Sequence, residues 1–324
     1  MEKIIPQVSI ELIKSELTSE RFLRRTSKAD NEIYIINAFN APNTMREIAR
    51  LREEAFRDAG GGTGKELDID EFDTMPEPCQ QLIVWSPDTN EIIGGYRFIL
   101  GENVKYGDDG QPLLATSHLF HFSQKFIDEY MLYTLELGRS FVNVKFQHQS
   151  ESGVKSLYAL DNLWDGLGAL TVMYPQIKYF FGKVTMYPSF GYKGRDMILY
   201  FMNKHYKDND NLVVPHKKLK LKTSIQMLKE IFINASSIKE SYKILNGEVR
   251  SLGQNIPPLV NAYMNLSPSM IVFGTAINDE FGDVEETGIL ITVNDIYKEK
   301  RERYIEHSAA EMKKNFDLNR FGIS

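Results

Sequence analysis

The sequence predicts a mixed α/β fold, with a mixed central sheet flanked by helices. Two kinds of pattern alternate along its 324 residues. Short runs rich in β-branched and aromatic residues are typical of strands, and longer runs with apolar residues at 3.6-residue spacing are typical of helices. Turn-forming stretches separate these runs, so hairpins and strand–helix–strand units are expected.

The N-terminal part supplies the first elements. Residues 1–30 are polar with amphipathic stretches and predict a helical lead-in. Residues 32–39 (EIYIINAF) predict a strand, and residues 43–59 predict a helix with Asn43 as its N-cap. The glycine run at 60–64 ends that helix. It has no following Lys-Ser/Thr and no preceding strand, which argues against a nucleotide-binding loop.

The remaining elements follow the same two patterns. Further strands are predicted at 81–85, 91–100, 132–146, 178–186, 270–277 and 288–293. Further helices are predicted at 156–173, at the end of 189–206, once or twice within 224–252, and after Pro257-Pro258. The main domain is therefore expected over 31–295, closed by C-terminal strands and followed by a charged tail at 296–324.

Composition excludes several classes of protein. With 42% hydrophobic and 25% charged residues the chain is globular, and its net charge of −6 argues against nucleic-acid binding. The single cysteine, Cys79, excludes an internal disulfide and a cysteine-based zinc site, and we expect no metal. The N-terminus lacks a signal-peptide pattern, and no run is long and apolar enough to span a membrane. A cytoplasmic location is expected.

Charge is unevenly distributed along the chain. Residues 204–250 carry ten Lys or Arg and five Asp or Glu, although the whole chain is acidic. We interpret residues 204–252 as a basic helical insertion. Its charge indicates either contact with an acidic partner or anionic membrane, or a solvated helix face.

Charged residues also lie inside or beside apolar elements, where an unpaired charge is costly. Two interpretations are open: a structural ion-pair network, or a cleft in which carboxylates orient or deprotonate an amine. The residues concerned are Arg52, Asp70, Asp73, Arg97, Glu136 and Arg139.

These residues stand in motifs whose order is informative. The motifs are Leu51-Arg52-x-x-x-Phe56, Asp70-x-x-Asp73, Gly94-Gly95-Tyr96-Arg97, Glu136-Leu-Gly-Arg-Ser-Phe-Val142, Leu163-Trp164-Asp165-Gly166-Leu167, Tyr179 to Met186 and Ile256-Pro257-Pro258-Leu259-Val260-x-x-Tyr263. Over residues 33–293 this order resembles N-acyl amino acid synthases of the ornithine-lipid and glycine-lipid type, which are related to acyl-homoserine-lactone synthases. Both groups belong to the Gcn5-related N-acyltransferase (GNAT) superfamily.

The resemblance implies amide formation. A 3-hydroxy fatty acyl group would pass from a phosphopantetheine thioester, on acyl carrier protein rather than coenzyme A, to the amine of glycine or ornithine. No tightly bound cofactor is implied. Backbone N–H groups within 142–153 would meet the donor. The Gln147–Gly153 stretch lacks the Arg/Gln-x-x-Gly-x-Gly/Ala loop of acetyl-CoA enzymes, which argues against acetyl-CoA.

The resemblance also assigns roles. Glu136 would orient or deprotonate the amine, with Arg97 and Arg139 holding the carboxylate network. Phe56 and Trp164 are more typical of a core than of a chain-binding site. The residues that would shape the substrate side are Arg52, Phe56, Asp70, Asp73, Val142 and Trp164.

Because acyl carrier proteins are small and acidic, the basic insertion has a candidate partner. The candidate docking residues are Lys217, Lys218, Lys220 and Lys222, and the inner face of an anionic membrane is the rival partner. Two other functions stay open: a lactone-signal synthase, and a non-catalytic module that binds membranes or carrier protein.

Overall fold

The computed structural model describes residues 1–147 and 158–309. The strands in chain order are β1 (Phe22–Arg25), β2 (Glu32–Ile36), β3 (Gln80–Ser86), β4 (Glu91–Leu100), β5 (Phe120–Phe122), β6 (Thr134–Val142), β7 (Tyr179–Met186), β8 (Val213–Pro215), β9 (Ile271–Asn278) and β10 (Val284–Thr292). The helices are α1 (Ile10–Glu16), α2 (Pro42–Asp58), α3 (Glu71–Thr74), α4 (Gln124–Glu129), α5 (Ala159–Met173), α6 (Tyr192–His205), α7 (Ile225–Ile231), α8 (Ile238–Ser251), α9 (Pro258–Met264) and α10 (Lys298–Arg301). The predicted mixed α/β class is confirmed.

The chain forms two compact units, each assembled from segments that are distant in sequence. The first unit comprises Met1–Val104, Tyr133–Lys178 and the chain from Tyr297 onward, and the second comprises Lys105–Leu132 and Tyr179–Ile296. This division differs from the consecutive segments that the sequence suggested, because pairing between strands joins distant parts of the chain. Within the described ranges, no helix is both long and apolar enough to cross a bilayer.

The first unit is built on an antiparallel sheet. Strands β1, β2, β3, β4 and β6 pair in that order, each antiparallel to the next. Strand β1 lies within the residues predicted as a helical lead-in, so that prediction is corrected. Residues 1–30 contain the seven-residue helix α1 and the edge strand of this sheet.

Helices cover both faces of the five-stranded sheet. Side chains of neighbouring residues in a strand point to opposite faces. Leu82 of β3 packs against Gly166 of α5, where an added Cβ would lie 2.6 Å from the Leu82 side chain. Gln81 instead faces the side covered by α2 and bonds to the segment that follows it. The α2 face carries the polar residues described below.

Strand β6 is shorter than predicted and contains a β-bulge. The ends of the predicted 132–146 strand are 3₁₀ turns at Met131–Tyr133 and Val144–Phe146. Gly95 pairs with Phe141, whereas Arg97 pairs with Gly138, so β6 carries one extra residue there. Such bulges bend a strand and redirect its side chains.

Helix α2 begins differently from the prediction. Ala41 is its N-cap, Pro42 occupies the first turn, and the Asn43 prediction is wrong. The carboxylate of Glu16, at the end of α1, accepts hydrogen bonds from the backbone N–H groups of Asn43 and Thr44 at 3.0 and 2.7 Å. An anion from a neighbouring helix therefore stabilises this N-terminus.

A buried carboxylate also organises the glycine run after α2. Glu53 accepts hydrogen bonds from the backbone N–H groups of Thr63 and Gly64 at 3.0 and 2.8 Å. The donors that would cradle a phosphate are thus directed at a side chain of the protein itself.

The second unit contains a three-stranded antiparallel sheet, in the order β7–β10–β9, and a ribbon of β5 with β8. Its core is aromatic: Phe122, Phe126, Phe181 and Phe273 lie with neighbouring ring centroids 5.4 to 6.2 Å apart. The basic insertion lies in this unit and contains two helices, α7 and α8, as its pattern indicated.

Candidate active site

A cluster of three arginines and three aspartates lies in the first unit, on the sheet face covered by α2. The arginines come from α2, β4 and β6, and the aspartates come from the segment between α2 and β3. The members are Arg52, Arg97, Arg139, Asp68, Asp70 and Asp73. Asp68 is the one member that the sequence patterns did not single out.

Arg52 is the most enclosed member of the cluster. Its side chain is 0% exposed, and its guanidinium bonds to Asp68 through Nε at 2.9 Å and to Asp73 through Nη2 at 3.2 Å. Gln81 of β3 donates a further hydrogen bond to Asp73 at 2.9 Å. The planar fork of an arginine suits such multiple contacts with carboxylates.

Arg97 connects the strand β4 to the short helix α3. Its Nη1 lies 2.5 Å from Asp70 and 3.3 Å from Asp73, and its guanidinium lies 5.7 Å from the centre of the Phe72 ring. Asp70 is also the N-cap of α3, where it accepts from the backbone N–H groups of Phe72 and Asp73. One carboxylate thus caps the helix and pairs with the strand.

Arg139 reaches the cluster because of the bulge in β6. In a regular strand, Glu136 and Arg139 would point to opposite faces. Arg139 instead adopts φ +47°, in the left-handed region, and its side chain lies 3.0 Å from Asp68 and 3.3 Å from Asp70. The bulge therefore places Arg139 beside the aspartates that Arg52 and Arg97 contact.

The electrostatics of the cluster keep Asp73 ionised. Burial by itself would raise the pKa of Asp73, but the charges of Arg52 and Arg97 outweigh burial and lower that pKa to about 2. The nearby carboxylates also raise the pKa of Arg97 against the opposing effect of burial. Asp73 is therefore a poor proton acceptor near neutral pH, because a general base needs a pKa nearer the working pH.

Glu136 is better placed than Asp73 to act as a proton acceptor. It is buried on β6, two residues before Gly138 and hence on the same face of the sheet. A Cβ added at Gly138 would meet no atom within 4 Å, so open space lies above that residue. Cys79 lies close enough that the charge of Glu136 adds to the effect of burial, which raises the pKa of the thiol to about 12. Cys79 therefore stays a thiol.

The three remaining predicted substrate residues lie on α2, β6 and α5. Phe56 is buried on α2, one turn after Arg52, and Val142 is the last residue of β6. Trp164 lies on α5, on the other side of the sheet, and its ring packs 6.0 Å from that of Tyr304. The structure thus places Trp164 in a packing contact on the sheet face opposite the cluster, and its substrate contact stays a prediction.

The predicted donor side is described only in part. Of residues 142–153, the stretch 148–153 lies outside the described residues. Gln147 donates a hydrogen bond from its side chain to the carbonyl of Val142 at 2.7 Å. The four candidate docking residues, Lys217, Lys218, Lys220 and Lys222, are exposed on the segment between β8 and α7, in the second unit.

Comparison with known proteins finds one matching family and two highly similar relatives. A family described as "Acetyltransferase (GNAT) domain" matches residues 51–155, a range that contains the whole cluster and Glu136. A "Glycine N(alpha)-acyltransferase" of Bacteroides thetaiotaomicron is 62% identical over 306 residues, covering 94% of this chain and 90% of that protein. A protein of the same description from Phocaeicola vulgatus is 60% identical, covering 94% of this chain and 93% of its own length. No solved structure matches the chain.

Proposed function

The chain belongs to the GNAT acyltransferase family and is an amide-forming N-acyltransferase, and from that premise we propose that it acylates glycine. The acyl donor in this proposal is a fatty acyl thioester, 3-hydroxylated as the resemblance implies, on the phosphopantetheine arm of acyl carrier protein. The product is an N-acylglycine, the single-chain intermediate of an aminolipid. The observation that carries the proposal is the identity of about 60% to two glycine N-acyltransferases over nearly the whole length of both chains.

The charge of the cluster favours glycine over ornithine. Ornithine would bring a second ammonium group, which needs a carboxylate partner when it is bound. Each of the three clustered aspartates already pairs with an arginine, at distances of 2.5 to 3.4 Å. The three positive and three negative charges balance, so the cluster offers no excess negative charge to a second ammonium.

Glu136 is the proposed general base. It accepts a proton from the glycine ammonium, directly or through a water molecule, and the freed amine attacks the carbonyl carbon of the thioester. A C–N bond forms and the carbonyl oxygen becomes an oxyanion, for which backbone N–H groups within 142–153 are the proposed donors. Collapse breaks the C–S bond, the nitrogen loses its second proton to give the neutral amide, and the leaving thiolate takes up that proton.

The ion-paired cluster has a positioning role in this proposal. Arg97 and Gly138 are paired across β4 and β6, and Arg139 lies in the bulge beside them. The contacts of Arg97 and Arg139 with the aspartates therefore tie both strands to the segment after α2, on the sheet face that carries Glu136. Groups that must stay within a fraction of an ångström of a productive geometry need such support.

The test uses purified protein with 3-hydroxyacyl carrier protein or the matching acyl-coenzyme A. Glycine, ornithine and S-adenosylmethionine are offered separately, release of free thiol is followed, and products are identified by mass spectrometry. We expect thiol release and N-acylglycine with glycine and the carrier-bound donor. N-acylornithine or a lactone as the main product, or no thiol release with any amine, would overturn the proposal.

A further inference from the structure

The second unit contains a cavity of about 870 Å³, a volume within the range of small-molecule sites. All residues that line it belong to this unit: the last turns of α6, strand β8 with the segments on either side of it, the first residue of α7, and part of β9. Its deepest lining residues are apolar, and Leu199, Val213, Val272 and Phe273 are each at most 5% exposed. The mechanism proposed above uses none of these residues.

Four lysines line the cavity, Lys204, Lys207, Lys218 and Lys220, and all four are exposed. In the described parts of the chain, none of their ammonium groups forms an ion pair. The one acidic lining residue is Asp208, whose carboxylate accepts from the backbone N–H groups of Asp210 and Val213 at 3.1 and 3.4 Å. The lining therefore carries an excess of positive charge.

The backbone around the cavity is held in place by hydrogen bonds. The N–H of Leu219 donates to the carbonyl of Thr275 on β9 at 2.8 Å, which ties the lysine-bearing segment to the sheet. The N–H of Asp208 donates to the carbonyl of Val272 at 3.3 Å, which ties the segment between α6 and β8 to the same strand. An apolar interior and a rim of unpaired lysines are thus built on two segments fixed to β9.

We propose that this cavity binds a long-chain carboxylate anion, with its acyl chain in the apolar interior and its carboxylate at the lysines. An apolar chain gains by leaving water, and an anion gains from several unpaired ammonium groups. Two sources share this chemistry: a free fatty acid, and an N-acylated amino acid. Only the second source rests on the proposed function, because an N-acylated amino acid is the product of the proposed reaction. The lining residues belong to the second unit, and Glu136 belongs to the first.

The experiment measures binding by titration calorimetry, below the micellar concentration and without any acyl donor. The probes are palmitate, N-palmitoylglycine, the uncharged methyl palmitate and a cationic alkyltrimethylammonium of equal chain length. We expect both carboxylates to bind more tightly than the ester and the cation, and the tighter carboxylate identifies the source. Equal binding of the ester, or no binding of either carboxylate, would overturn the proposal.

Matched variants separate the site from general charge. Replacing Lys204, Lys207, Lys218 and Lys220 with Gln should weaken carboxylate binding about tenfold, equivalent to about 1.4 kcal/mol. The control replaces Lys217, Lys222, Lys229 and Lys239 with Gln, which removes equal charge from the same unit outside the cavity lining. Equal weakening in the control would contradict the assignment. Binding that persists while transfer to glycine is absent would refute the proposed function and leave the cavity site standing.

A second variant tests the apolar interior. Val214 lines the cavity and is 37% exposed, so Val214→Trp adds bulk at the rim without entering a packed core. It should weaken binding of palmitate more than binding of octanoate, because the longer chain needs more of the volume. The same loss for both chains would show that the chain lies elsewhere. Circular dichroism checks that each variant is folded.

Discussion

Arg52 shows how a single side chain holds the candidate site together. Its guanidinium is fully buried between Asp68 and Asp73, so none of the three charges can be hydrated by bulk water. A buried ion pair adds little to stability by itself, but removal of one partner leaves the other as an uncompensated buried charge. Arg52 is therefore a position where a stability effect is expected whatever its role in catalysis.

Arg52→Met should lower the free energy of unfolding by about 3 to 5 kcal/mol, because two buried aspartates each lose one of their two arginine partners. Denaturant unfolding measures this loss. The matched control is Arg46→Met on the exposed side of the same helix, which should change stability by less than about 0.5 kcal/mol. Similar effects of the two substitutions would contradict the assigned burial.

The lowered pKa of Asp73 predicts how the free energy of unfolding changes at acid pH. Its pKa of about 2 in the folded protein lies below the ordinary value of 3.8, so its contribution is complete above pH 3.8 and is lost as pH falls toward 2. The expected loss is about 2 kcal/mol, at about 1.4 kcal/mol per pKa unit. The loss is measured as the difference between the free energies of unfolding at pH 5 and pH 2.5. This difference should be smaller in Asp73→Asn than in the wild type. Parallel pH profiles of the two proteins would contradict it.

Glu136 is the residue whose substitution should separate chemistry from folding. Glu136→Gln keeps the size of the side chain but removes the proton acceptor, so kcat/KM should fall by about 100-fold or more. The free energy of unfolding should change by about 1 kcal/mol or less. Steady-state kinetics and denaturant unfolding on the same samples check both. A proportional loss of activity and stability would return Glu136 to a structural role.

At the scale of elements, the bulge in β6 decides which side chains meet. One extra residue in that strand, with Arg139 in the left-handed region, brings Arg139 to the face that carries Glu136 and Gly138. The motif Glu136-Leu-Gly-Arg139 was identified from the sequence as part of the site. Its spacing by itself would have put the two charged residues on opposite faces, because side chains alternate along a regular strand.

Arg139→Gly and Arg139→Val both remove the ion pairs with Asp68 and Asp70, but they differ in backbone strain. Glycine adopts the left-handed region at φ +47° freely, whereas a β-branched residue is strained there. The valine variant should therefore be less stable than the glycine variant by about 1 to 2 kcal/mol. Thermal and denaturant unfolding measure the difference. Equal stability would show that the bulge relaxes once the guanidinium is gone.

Helix ends also depended on contacts that a local pattern does not contain. Asn43 had the residue type of an N-cap, but Glu16 of α1 supplies the anion for this N-terminus. The glycine run is held by Glu53 in the same way. In both cases the carboxylate lies at least ten residues away in sequence, beyond the range of capping motifs.

At the scale of the whole molecule, positive charge is concentrated in one short segment. The segment between β8 and α7 carries four exposed lysines and no acidic residue, although the whole chain has a net charge of −6. Part of this charge lines the cavity, and the rest faces solvent. Attraction between such a surface and an acidic carrier protein acts on the rate of encounter and weakens with salt.

Replacing Lys217, Lys218, Lys220 and Lys222 with Gln should raise KM for the acyl carrier protein about tenfold and leave kcat unchanged. The wild-type KM should rise with salt, and that of the variant should rise less. Steady-state kinetics at several ionic strengths measure both. The control removes four exposed lysines elsewhere in the second unit, Lys193, Lys229, Lys239 and Lys243. An unchanged KM in the first variant would assign the four lysines to a solvated surface.

The sequence by itself determined the mixed α/β class, seven of the ten strands that the described residues form, and the family, because these follow from local patterns and from motifs in order. It also singled out five of the six members of the charged cluster. Only the tertiary structure added Asp68, turned Arg139 to the face of Glu136, placed Trp164 on the other side of the sheet and formed the cavity in the second unit. The physical reason is that strand register, the bulge and burial arise from pairing between distant segments, and no local pattern specifies which distant side chain becomes a partner.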